Sequence, residues 1–480
     1  MAQGTTSAAT TSAAREAWLG KVRAVLKDAP FERLASRTVE GLLVLPLYSP
    51  GDAPVRAGPL LRANRGSEEP AWDVRAPVSH PDPAKANDQI LEALGGGAAS
   101  VLLSVDPSAS SPEALGRTLN GVVIEAATIA LDAGLRGPQT AQWLSDLAKG
   151  SPGARLAFHL DPLSAFAEAG STPGPIERHI ATAAETAARL AATYPTAGLV
   201  MASGRVAHEA GGSAAQELGL MAASALAYAK SLVAAGLGLE RALSGVTLGV
   251  SADGEYFQTL AKVRAAREIW ARLAAVCGCP LPARIEARSS RRMLSALDPW
   301  TNLLRLTAAG FGAAAGGADA IVLDGFTQAV GPPDGQAQRL ARNIQLVLME
   351  ESHLGRVEDP AAGAWFVESL TRDLARQGWK QFQAIEARGG VVQALTSGFI
   401  AAGAAEVREA REAAVVEGAA PILGVTLFLD PAPRPVQTDE TASQPTSDAP
   451  RLDGPDSRCP PLRPMRLAAA AEQVIADLEP

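Results

Sequence analysis

Short apolar runs alternate with stretches of helical periodicity along most of this chain. The runs lie at 99–105, 121–124, 155–160, 198–202, 245–250, 283–287 and 318–323. Most are rich in Val, Ile and Leu and are separated from the next by one stretch of helical spacing, the signature of repeated βαβ units on a parallel sheet. Seven such runs are countable, and residues 421–428 are the best candidate for an eighth strand. Eight parallel strands ringed by helices predict an α/β fold, a (β/α)8 TIM barrel. A doubly wound open sheet is the structural alternative.

Outside the repeat the pattern changes. A small, polar start leads into a helical segment over 16–34 and then an extended arm. From 430 to 461 Pro, Ser, Thr and Asp dominate, which predicts a flexible linker, and 467–478 has the spacing of one amphipathic helix. The expected organisation is an N-terminal extension over 1–50, a barrel over 51–429 and a disordered C-terminal tail over 430–480.

Composition narrows the function classes. A hydrophobic fraction of 47% supplies a sizeable core. The net charge of -8 and pI near 5.4 argue against a nucleic-acid partner, which would need clustered Lys and Arg. No run of 18 apolar residues exists to cross a membrane, and no basic segment precedes an apolar one as in a secretory signal. Three cysteines, Cys277, Cys279 and Cys459, form an odd set without metal-ligand spacing, which points to a reducing, cytoplasmic setting.

Most of the remaining features have structural readings. The one E-x-x-H, Glu350 to His353, has no second such pair, so no metal is expected. Gly95-Gly96-Gly97 precedes a strand, so it ends the helix over 87–94 rather than cradling a phosphate. Residues 257–273 have the spacing of an amphipathic helix with a solvated face, whose arginines and aromatics are candidates for a partner interface.

Two sets of motifs carry a resemblance. The first is Asp298-Pro299-Trp300-Thr301-Asn302, then Phe326-Thr327-Gln328-Ala329, Ala341-Arg342-Asn343-Ile344-Gln345 and Glu350-Glu351-Ser352. The second is Thr38-Val39-Glu40-Gly41, continuing to Val44-Leu45-Pro46-Leu47-Tyr48-Ser49. Together they resemble the barrel domain of the methylmalonyl-CoA mutase family, over roughly residues 16 to 429. That family uses adenosylcobalamin and places a Tyr and a His at the acyl thioester.

Here the chain departs from the resemblance. Ser203-Gly204-Arg205-Val206-Ala207-His208-Glu209-Ala210-Gly211 aligns with S-G-Y-H-M-Q-E-A-G, so Arg205 takes the tyrosine position, Val206 the histidine and His208 the glutamine. An isopropyl group can neither donate a hydrogen bond nor carry a proton. Glu286 and Arg288 stand where relatives have a His and a Gln, and Asn64 stands for a tyrosine that wedges against the corrin. No catalytic residue is expected, and these six positions read as a vestigial site.

The cobalamin domain of the family carries D-x-H-x-x-G, but the residues two places before the five histidines are Val78, Ala157, Glu177, Val206 and Glu351. About fifty residues follow the last barrel-like segment, short for a further domain. The resemblance therefore implies a small, non-catalytic subunit in a heterodimer, whose catalytic large-subunit partner binds the cofactor, while this chain binds none. The alternative is an acyl-CoA mutase barrel that works with a separately encoded cobalamin-binding protein.

Overall fold

Eight parallel strands close into a barrel in sequence order. They are β1 (Asp73–Val78), β2 (Ser100–Ser104), β3 (Thr128–Asp132), β4 (Leu156–Leu160), β5 (Gly198–Ser203), β6 (Val246–Ala252), β7 (Ile285–Ser289) and β8 (Ala320–Val322). β1 pairs with β8 to complete the circle through Ala320 opposite Asp73 and Ile321 opposite Val74. The architecture is the (β/α)8 barrel. This computed structural model describes residues 3–27, 29–52, 70–104, 111–151, 153–442 and 450–478.

Two strand assignments shift. The eighth strand is not 421–428 but Asp73–Val78, the first of the barrel. Its outward residues Val74 and Val78 join the main core, whereas Asp73 and Arg75 face inward, so it lacks the apolar run that marks its neighbours. Residues 421–428 form a turn instead: Gly424 and Phe428 have φ of 75° and 51°, and only Leu423 and Leu427 bridge. Likewise 121–124 lies in turns with Val123 exposed, and the strand begins later, at Thr128.

Helices start where the sequence offers caps. Asp82 accepts from the Ala84 amide with Pro83 at the first helical position, and Ser213 and Gln216 form a reciprocal capping box. The helix Pro83–Gly95 ends at Gly96, and Gly97 takes φ of 98°, so the glycine triplet does terminate a helix. On the outside, the helix Ala214–Ala234 lies so close to Trp365–Glu386 that a side chain at Gly219 would strike Gln381.

This second layer changes the helix Tyr256–Val276. It has no broad solvated face: Lys262, Arg264, Arg267 and Trp270 are buried. The cations are paired within the fold, Lys262 with Glu217 at 2.7 Å, Arg264 with Glu368 at 2.7 Å and with Asp359, and Arg267 with Asp319 at 2.6 Å. Its arginines at 264 and 267 are therefore not a partner surface.

The termini are more ordered in contour than their composition predicts. A helix spans Gln3–Leu26, and the arm after it makes a two-stranded hairpin, Ser36–Arg37 with Leu43–Val44. Glu40, at that hairpin, accepts from the Ala214 amide at 2.7 Å. The described part of 430–478 is largely irregular yet lies against the barrel. Ser457–Arg458 pairs with Ser171–Thr172, Leu462 and Met465 are buried, and the helix Ala469–Leu478 follows. Among the described residues, no helix is long and apolar enough to cross a membrane.

Candidate functional site

Inward-facing positions along the strands build the barrel interior in layers. Toward the N-terminal end, the Arg75 guanidinium donates to Asp73 at 2.6 Å, to Glu286 at 2.5 Å and to Ser100 Oγ at 2.8 Å. Ser100 in turn donates to Asp73 at 2.5 Å. Across the axis on β4, His159 Nδ1 lies 3.9 Å from the Glu286 carboxylate. Leu102, Ala130, Ala157 and Val322 pack as a small apolar cluster of the interior.

This cross-axis group divides the interior. An upper cavity of about 240 Å³ lies at the C-terminal ends of the strands, and a lower one of about 890 Å³ at the N-terminal ends. His159 and Glu286 line both. Burial pulls the His159 pKa down to about 4, leaving the ring neutral at pH 7, and its φ of 43° is a left-handed conformation that a non-glycine residue adopts at a cost. Burial pushes the Glu286 carboxyl up, but His159 and Arg75 outweigh it and hold the group below the usual range.

In barrels of this type reactive groups gather at the C-terminal face. There Arg288 grips Asp324 in a fork, with Nε and Nη2 at 3.0 and 2.9 Å, and reaches Asp132 at 3.2 Å. Arg205 and Val206, at the start of the short helix Arg205–Glu209, are partly buried and line the upper cavity. Asp161 lines it too. Burial raises its pKa to about 6 although it accepts from the Ser164 amide at 3.0 Å and from the Tyr228 hydroxyl at 2.6 Å.

The structure thus brings Arg205, Val206, Glu286 and Arg288 to one cavity. It does not bring His208, which turns behind the helix into a closed ionic cluster. His208 meets Ser290 Oγ at 3.0 Å and Glu217 at 3.1 Å, beside Lys262 and Asp253. Burial, then Arg292 and Lys262, pull its pKa down to about 4. Asn64 lies outside the described residues.

Sequence reasoning passed over Arg75, Asp132 and Asp161, and treated His159 as an ordinary hydrogen-bonded histidine. Parity could have found two of them, since Arg75 follows Asp73, and His159 follows Ala157, by two residues on the inward side. Three arginines crowd the C-terminal end of β7, Arg288, Arg291 and Arg292. They divide, with Arg288 and Arg291 lining the cavity and Arg292 turning away to Asp253 at 3.0 Å and to the His208 carbonyl.

The mouth is roofed by the chain's own C-terminal segment. The amides of Cys459, Leu462, Met465 and Leu467 donate to the carbonyls of Gly170, Ala167, Glu209 and Arg292, and Leu462 and Pro464 form part of the cavity wall. Glu472 anchors the following helix by accepting from the Ala296 amide at 2.7 Å and pairing with Arg466 at 2.6 Å.

Comparison with known proteins agrees with this architecture. The family model described as methylmalonyl-CoA mutase matches residues 149–452. The methylmalonyl-CoA mutase small subunit of Streptomyces virginiae is 36% identical over 450 residues, covering 90% of this chain and 72% of that protein. That of Propionibacterium freudenreichii subsp. shermanii is 36% identical over 379 residues, 76% of this chain and 59% of its own length. The probable small subunit of Mycobacterium tuberculosis H37Rv is 39% identical over 395 residues, 77% of this chain and 63% of its own length. The chain spans between 59% and 72% of these relatives. With the barrel, the motifs and these similarities together, the chain belongs to the methylmalonyl-CoA mutase family.

Proposed function

We propose that this chain is the small, non-catalytic subunit of an adenosylcobalamin-dependent methylmalonyl-CoA mutase, the enzyme that interconverts methylmalonyl-CoA and succinyl-CoA. Its role in this reading is to stabilise a catalytic large subunit by burying a shared interface. The observation that carries the proposal is Val206. It lines the cavity at the position where the family's acid–base histidine belongs, and its side chain has no proton to give. Arg205, beside it, replaces the tyrosine.

The barrel axis supports the same reading. The Arg75, Glu286 and His159 group stands on the axis between the upper and lower cavities. An acyl-CoA arm could not run down this axis without breaking that group.

The residues present do not fit cobalamin held through a histidine. His159 and His208 are buried in polar clusters, His179 meets the Pro173 carbonyl at 3.0 Å, and His80 meets Thr441 and the Asp82 amide. His353 lies exposed, at the turn after the Glu350–Ser352 segment. The cofactor in this reading is held by the partner, and no step is assigned to it in this chain.

The test is co-expression. The purified chain with adenosylcobalamin and methylmalonyl-CoA should give no turnover, the chain with a catalytic large subunit should give full turnover, and Val206→His should change neither result. Turnover by this chain with a separate cobalamin-domain protein, and no large subunit, would instead support an acyl-CoA mutase barrel.

A further inference from the structure

The C-terminal segment that roofs the mouth is held differently from the rest of the chain. Over 459–466 it forms neither helix nor strand, yet it buries a side chain at every third position, at Cys459, Leu462 and Met465, and again at Ala468. Pro460, Pro461, Arg463 and Pro464, which lie between, are exposed. A three-residue period with prolines in the gaps is that of polyproline II, which has about three residues per turn and no hydrogen bonds of its own. Its amides therefore bond outward.

The same residues that bury their side chains also tie the segment to the rim. The amides of Cys459, Leu462 and Met465 donate to the carbonyls of Gly170, Ala167 and Glu209 at 2.9, 2.8 and 2.8 Å, and the Leu467 amide to the Arg292 carbonyl at 2.9 Å. The segment thus crosses the mouth from the helix after β4 to the helix after β5 and on to the turn after β7. At Gly170, with φ of 80°, a Cβ would stand 3.0 Å from Pro461 and 3.1 Å from the Cys459 carbonyl, so the rim there follows the shape of the segment. Both ends are pinned separately, by the pairing of Ser457–Arg458 with Ser171–Thr172 and by Glu472 at the Ala296 amide. Between these pins the contact is main-chain bonds and apolar anchors, without an ion pair to the rim among the described residues.

Leu462 and Pro464, at the middle of this span, form part of the wall of the upper cavity. We propose that residues 459–467 are a lid, which lifts from the rim as one unit while the barrel stays folded and so controls entry to the upper cavity. A polyproline rod favours this behaviour, because its conformation needs no contact with the rim and its anchors lie in one row. Local opening draws on segments with few buried apolar contacts, whereas β5 and β6 beneath are buried along their whole length. The inference concerns this chain alone and does not need the subunit reading.

Cys459 makes the lid its own reporter, because its thiol is covered while the lid is down, whereas Cys277 and Cys279 are partly exposed. In the full native chain, iodoacetamide followed by peptide mass mapping should label Cys459 more slowly than Cys277 and Cys279. It should still label Cys459 long before hydrogen exchange reaches the amides of Leu199 in β5 and Leu248 in β6. Leu462→Ser removes the central anchor and should speed Cys459 labelling at least tenfold with the circular dichroism spectrum unchanged, while Arg463→Ala, at an exposed position, should not. A thiol placed inside the cavity by Val206→Cys should be labelled in step with Cys459, with and without Leu462→Ser. Labelling of Cys459 only as fast as the β5 and β6 amides exchange, a rate untouched by Leu462→Ser, or a Val206→Cys thiol that reacts independently of Cys459 would overturn the proposal. The first of these is read on the unaltered chain, so a misfolded variant does not decide the matter, and such a failure leaves the subunit reading in place.

Discussion

Glu286 and Arg205 are charged residues on the inside of the same barrel, but their surroundings are opposite. On the axis, Arg75, Asp73, Ser100 and Glu286 satisfy one another within 2.8 Å. At the mouth, the enclosed Nε of Arg205 has no acceptor among the described residues. A closed set of charges is a structural part, because each member removes the desolvation penalty of another. An open group carries that penalty uncompensated. One barrel thus carries a closed set of charges on its axis and an open one at its mouth.

The strongest way to break this contrast is Glu286→Leu. Removing one partner leaves Arg75 buried with Asp73 alone, which should cost about 3–5 kcal/mol in urea unfolding. The double variant Arg75→Met with Glu286→Leu removes the buried pair, leaving the partly exposed Asp73 with Ser100, and should recover part of that loss. If the double variant is as unstable as the single, the axis is not a self-contained set.

Acid should separate the two regions next. His159 and His208 are held near pKa 4, below their ordinary 6.5, so between those values the unfolded chain takes up protons that the folded chain refuses. Stability present above pH 6.5 is lost as pH falls toward 4, on the order of 2–3 kcal/mol for each histidine. Asp161 at the mouth, raised to about 6 from 3.8, acts in the opposite sense and gains as pH falls through the same range. Urea midpoints measured from pH 7 to 4 should therefore decline, less steeply in His159→Gln. A flat profile contradicts the neutral buried rings.

Arg205→Met should have the smallest effect. Because the guanidinium has no partner to abandon, stability should stay within about 1 kcal/mol of the parent or rise. A loss comparable to that of Glu286→Leu would mean that Arg205 is paired after all, and the contrast between axis and mouth would collapse.

Much of this was legible from the chain, and the failures have physical reasons. Strands β2 and β4 to β8 are apolar runs because both faces of a parallel barrel strand are buried. β1 hid because its inner face carries Asp73, Arg75 and Pro77, so the property that makes it interesting removes the signal. The 421–428 run has strand-like composition, but Gly424 turns it, and pattern alone does not see a φ of 75°. Local sequence also could not see that the helix Trp365–Glu386 covers Arg264, since its partner Glu368 lies about a hundred positions away.

For the site, Arg205, Val206 and Glu286 could be singled out from the sequence by position. Which of them share a cavity was not, because His208 lies only two residues from Val206 yet faces the other way on a short helix. The family segments themselves prove largely architectural. Asn302 joins Ser295 to the Phe326 carbonyl, and Gln345 accepts from the Trp72 indole at 3.2 Å.

The joint between β8 and β1 rests on two residue pairs and a three-residue stave. It requires positions 73 and 320 to meet across roughly 240 intervening residues, a closure that goes unrewarded until the other staves are assembled. Loop-closure entropy therefore favours a late closing of this joint, beside the strand that brings Arg75 to the axis.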